Sequence, residues 1–67
     1  SKNLTVDLGD LNGVNTAIKL YDSSSKLLFE KRSLSTLMID VSGFAKGMYL
    51  LEISTDEQVL RSQVILE

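Results

Sequence analysis

The chain has 67 residues, a formal net charge of −2, and no histidine, cysteine, tryptophan or proline. It is expected to be one small domain, residues 1–67, with no disulfide and no Cys/His metal site open to it. Seven Lys and Arg lie among nine Asp and Glu, which gives no basic field for nucleic acid or an anionic membrane, and no apolar run approaches the ~20 residues that cross a bilayer. The opening SKNLTV lacks the n-region and h-region of a signal peptide, so an exported protein would carry its signal upstream. Zero cysteine leaves the redox compartment open. A core this small predicts marginal stability alone, so a module attached to something larger is the natural expectation.

Along the chain the dominant period is two rather than 3.6. Leu4, Val6 and Leu8 alternate with Thr5 and Asp7. A turn region, Gly9 to Asn15, follows, and then Ile18 and Leu20 alternate with Ala17, Lys19 and Tyr21. The Asp22-Ser23-Ser24-Ser25 cluster predicts a turn. After it, Leu27 and Phe29 are expected on one face, with Leu28 and Glu30 on the other. Leu34, Leu37 and Met38 have a spacing of three and four that leaves a helical turn open there. Leu37, Ile39 and Val41 nevertheless alternate with Met38 and Asp40 as a strand would. Tyr49, Leu51, Ile53 and Thr55 alternate with Leu50, Glu52 and Ser54. The last run, Gln58 to Leu66, sets Leu60, Val64 and Leu66 against Val59, Arg61, Gln63 and Ile65.

Six or seven short runs at roughly ten-residue spacing, divided by Gly, Ser, Asn and Asp, predict an antiparallel all-β sandwich. Phe44, flanked by Gly43 and Gly47, is expected to plug one open end while the glycines take positive φ. Tyr49, near a strand start, is placed to bond its hydroxyl to the loop backbone.

Each candidate reaction site has a plainer structural reading. Ser23-Ser24-Ser25-Lys26 matches S-x-x-K, but that chemistry needs the Ser at a helix start with S-D-N and K-T-G partners, and neither partner occurs. Asp7, Asp10 and Asn12 miss the spacing of a twelve-residue calcium loop. A glycosidase carboxylate pair has little room for a cleft in a domain this small, and each acid falls on a polar strand face or in a turn such as Asp56-Glu57. Tyr21 is the one aromatic placed to serve as a sugar platform. Asn3-Leu4-Thr5 fits the glycosylation sequon, a match that short sequences give often. No catalytic residue, metal site or cofactor is expected, and the chain does not read as an enzyme.

Taken in order, IKLYDSSSKLLFE, IDVSGFAKGMYLLEIS and QVLRSQVILE resemble the type A C-terminal sorting domain of the type IX secretion system. The matching positions are Tyr21-Asp22, Lys26-Leu27-Leu28, Asp40-Val41-Ser42-Gly43-Phe44, Lys46-Gly47-Met48-Tyr49 and Val64-Ile65-Leu66. The resemblance implies a small immunoglobulin-like Greek-key sandwich of about seven short antiparallel strands, carried at the C-terminus of secreted or cell-surface proteins of gram-negative bacteria. It implies a fused N-terminal cargo that reaches the periplasm by its own signal peptide. The outer-membrane secretion machinery and a sortase-like processing protease are then the partners. Recognition is expected at the corner Asp40, Gly43, Phe44, Lys46, Gly47 and Tyr49, with Val64, Ile65 and Leu66 of the final hairpin and the Tyr21-Asp22 turn.

The chain departs from the family pattern in three places. Ser25 stands where the family usually has Gly, which implies a different turn type. The chain ends Ile65-Leu66-Glu67 instead of in basic residues, and it lacks a Pro-Asn-Pro-type opening. Two other readings are compatible with the residues alone: a carbohydrate-binding or adhesive sandwich, and a structural accessory domain packed on a secreted enzyme.

Overall fold

The computed structural model describes residues 2–67, and it is all-β apart from one short 3-10 turn. Six strands form: β1 (Asn3–Val6), β2 (Thr16–Tyr21), β3 (Leu27–Ser33), β4 (Leu37–Asp40), β5 (Gly47–Ser54) and β6 (Val59–Leu66). Every pairing is antiparallel. β1 and β4 make a two-stranded sheet, and β3-β2-β5-β6 make a four-stranded one. The chain leaves the large sheet after β3, passes through β4, and returns to place β5 beside β2. That crossing gives the Greek-key character, and β2-β3 and β5-β6 are its two hairpins.

Alternation places the core. Val6, Leu8, Ile39 and Val41 meet Ile18, Leu20, Tyr49 and Leu51 between the two sheets. Ile18 and Leu20, on the central strand β2, are fully buried. Thr16 is the one buried polar residue among those described, and its hydroxyl donates to the Val14 carbonyl oxygen at 2.7 Å. That bond meets the requirement that a buried polar group find a partner. The polar turn region holds a 3-10 turn, Gly9–Leu11, where Asp7 Oδ1 accepts the Gly9 N–H at 3.0 Å. Ser23 to Lys26 lie in the β2-β3 loop, not at a helix start. Leu37 and Met38 belong to β4, so the helical option at that point is not taken.

One expectation about facing needs correction. Leu27 does not share the inward face with Phe29, because the β2-β3 register slips between Leu20 and Tyr21. Phe29 pairs with Leu20 and Leu27 pairs with Tyr21, so Leu28 is the extra residue of a bulge and Leu27 is left 44% exposed. Leu60 does lie on the inward face, opposite Ile53, yet it is 49% exposed. A two-stranded layer is too narrow to cover all of a four-stranded one, and the Val59–Ser62 half of β6 lies beyond its reach.

Candidate functional site

The corner between β4 and β5 is built by short-range hydrogen bonds. Asp40 Oδ1 accepts the Ser42 N–H at 3.0 Å and the Ser42 hydroxyl at 2.7 Å. These two bonds hold the exposed Asp40 carboxyl below the usual aspartate range, the Ser42 hydroxyl contributing most. The Phe44 N–H then donates to the Val41 carbonyl oxygen at 3.0 Å, turning the chain back on itself. Phe44 is half-buried against the core and stacks on Tyr49, with ring centroids 5.9 Å apart and planes at 24°. The Tyr49 hydroxyl donates to the Ala45 carbonyl oxygen at 2.6 Å, which closes the loop onto its own outgoing strand.

Gly47 has φ +144°, a backbone region that side chains other than glycine's rarely enter. Gly43 falls outside that region, so only one of the two corner glycines is there for positive φ, contrary to the expectation for both. Lys46 is exposed at the rim.

The structure joins this corner to β6. Gly47 pairs with Leu66, Met48 with Ile65, and Tyr49 with Val64. Lys2, Asn3 and Leu4 from the small sheet then face Val41, Ser42, Phe44 and Lys46, and Ile65 to Glu67, across a cleft of about 410 Å³. The Lys2 ammonium donates to the Glu67 carbonyl oxygen. Lys2 and Ala45 were not legible as members of the site. A contact between positions 65 apart leaves no local pattern, and a carbonyl acceptor needs no particular side chain.

The Tyr21-Asp22 turn lies at the same end of the large sheet. Asp22 Oδ1 accepts the N–H groups of Ser24 at 2.8 Å and Lys26 at 2.9 Å, and its backbone N–H donates to the Lys26 carbonyl oxygen at 3.0 Å. Ser25 takes φ +67°, the left-handed conformation that a glycine would take. The loss of Gly here leaves a positive φ in place. The serine adopts the strained backbone instead. Tyr21 is half-buried and pairs with Leu27 and Leu50 in the register, on the same face as Lys19 two residues along the strand.

On the outer face of the large sheet, Glu30, Lys19, Glu52 and Arg61 form one cross-strand row of alternating sign. Arg61 reaches Glu52 at 3.1 Å and Lys19 reaches Glu30 at 3.9 Å. The row is self-neutralising and leaves no net charge for a ligand. Among the described residues no three acidic side chains converge on a point, and no helix is long and apolar enough to cross a membrane.

A family model described as a secretion system C-terminal sorting domain matches residues 1–67. The chain belongs to that family, the C-terminal sorting domains of the type IX secretion system. No curated protein and no solved structure matches it. The family is one of sorting signals, not of catalysts, and the proteins that carry such domains are secreted or displayed at the cell surface. Its members ride behind a cargo fused on the N-terminal side.

Proposed function

We propose that this domain directs its attached cargo across the outer membrane through the type IX machinery, and that it does so without chemistry of its own. The surface that is read is the β4-β5 corner together with the β5-β6 hairpin. One observation carries the assignment of that surface. Phe44, Lys46, Gly47 and Tyr49, which carry the family resemblance, lie against Val64, Ile65 and Leu66 through the β5-β6 register and the cleft beside it. A sortase-like protease at the cell surface then removes the domain from its cargo.

An address of this kind suits the physical character of the fold. A compact surface with no reactive groups can be carried by many cargoes without interfering with them. The test is to fuse the chain behind a periplasmic reporter in a host that has the machinery. Reporter in the medium or on the cell surface supports the reading. Reporter retained in the periplasm overturns it.

A further inference from the structure

The four-stranded sheet has two free edges, β3 and β6, and each presents a row of unpaired backbone N–H and C=O groups. The two are protected very differently. β3 carries a bulge at Leu28 and three consecutive charges, Glu30, Lys31 and Arg32. Lys31 even lies on the inward face, opposite Ile18. A bulge and an inward charge are the devices that prevent a strand from being added to an edge.

β6 has none of them. Its register with β5 runs unbroken from Ser54 opposite Val59 to Gly47 opposite Leu66. It holds one charge, Arg61, and Glu52 on the neighbouring strand already engages it. Its apolar side chains face both ways: Val59 and Ile65 outward, 51% and 61% exposed, and Leu60 inward, 49% exposed. Ser62, beside Leu60 on the inward face, is also exposed, since the small sheet does not extend over it. The Lys2 ammonium on the Glu67 carbonyl oxygen closes the far end, leaving Val59 to Ile65 as the open stretch.

We infer that the export machinery docks on this edge by adding an extended strand of its own to β6. The inference rests on the sorting reading and names how that surface is engaged. The chemistry of the edge specifies the occupant. Backbone donors and acceptors repeating every two residues are matched by another strand, whereas a helix has no free backbone groups to offer and a glycan has no such period. The flanking side chains ask for aliphatic residues opposite Val59, Leu60, Val64 and Ile65, and for a residue other than Lys or Arg opposite Arg61.

Reporter fusions test this with three kinds of variant. Along a strand, N–H groups point alternately toward and away from the neighbour, so of Ser62→Pro and Gln63→Pro one spares the β5 ladder. Thermal melts of the purified variants identify which one. The double variant Val59→Lys, Ile65→Lys charges the edge at two exposed positions. Leu34→Lys adds a charge in the β3-β4 loop, outside the corner and the β5-β6 hairpin, at a position 57% exposed.

Secretion is expected to fall roughly tenfold or more for the folded proline variant and for the double lysine variant. It is expected to be unchanged for Leu34→Lys, with the isolated domain sedimenting as a monomer. Should both proline variants unfold, the double lysine variant decides. Edge variants secreted at the wild-type level overturn the strand addition while leaving the sorting reading in place. A block by Leu34→Lys alone assigns docking to the opposite end of the sandwich, and a reversible dimer broken by the lysine pair assigns the edge to a second copy; either overturns the proposal. Failure of the unaltered fusion to leave the periplasm removes the sorting reading, and this inference with it.

Discussion

The Tyr49 hydroxyl reaches back four residues to the Ala45 carbonyl oxygen, at 2.6 Å, while its ring stacks on Phe44. One side chain therefore fixes the loop, the inner end of β5 and the aromatic cover over the core. Tyr49→Phe keeps the ring and removes only the donor. The loss expected is that of one typical hydrogen bond, about 0.5–1.5 kcal/mol, or a drop in melting temperature of ~4–8 °C for each kcal/mol in a domain this size. Differential scanning calorimetry checks it. An unchanged transition means that water replaces the hydroxyl at Ala45 with no net loss.

Gly47 and Gly43 flank the same loop and are predicted to respond in opposite ways. A Cβ built on either meets nothing within 4 Å, so crowding is not the issue at either position. What separates them is backbone: Gly47 sits at φ +144° and Gly43 does not sit in that region. Gly47→Val is expected to cost about 1–3 kcal/mol through strain alone, whereas Gly43→Ala should stay within about 0.5 kcal/mol of the parent. Denaturant midpoints of the two variants, measured side by side, give the comparison. Equal effects at the two sites would show that the corner relaxes around Gly47.

The period-two pattern made the two-layer core legible residue by residue, because Val6, Leu8, Ile18, Leu20, Ile39, Val41, Tyr49 and Leu51 are all at positions the alternation assigns inward. It failed at Leu27, where one extra residue at Leu28 reverses which side faces the core. A bulge leaves no mark in a stretch that is apolar on three successive positions. It placed Leu60 on the face of Val64 and Leu66, where the register has it, yet Leu60 is 49% exposed: facing is a property of the strand, but burial depends on the width of the opposite sheet. The corner residues were readable as a motif in order. That Gly47 and Tyr49 pair with Leu66 and Val64 was not, because register is set by the hairpin as a whole.

Ser25 offers a stabilising substitution. It holds φ +67° in the loop closed by the Ser25 N–H to the Asp22 carbonyl oxygen, at 3.0 Å. A left-handed backbone at a residue with a Cβ costs about 1–2 kcal/mol relative to glycine, partly offset because glycine loses more freedom on folding. Ser25→Gly is therefore expected to raise stability by about 0.5–1 kcal/mol, read as a higher melting temperature with an unchanged strand signal in circular dichroism. A lower melting temperature would mean that the entropy of the unfolded chain outweighs the relieved strain.

Asp40 gives the corner a dependence on pH whose sign follows from its hydrogen bonds. Ser42 donates twice to the carboxylate, which holds the folded-state pKa below the ordinary value of 3.8. A carboxyl with a depressed pKa adds stability above its unfolded-state pKa, and that stability is lost as the pH falls through the folded-state value. Asp40→Asn keeps an oxygen acceptor for Ser42 but removes the charge. At neutral pH the parent should melt above the variant, with a constant gap until the pH nears 3.8. Below that the two curves should converge as Asp40 takes up its proton. Taking the difference between the two proteins removes the other carboxylates, which titrate in both. Curves that stay parallel into acid would mean that the Ser42 bonds stabilise the neutral acceptor as well as the charged one, and that the corner holds by geometry rather than by charge.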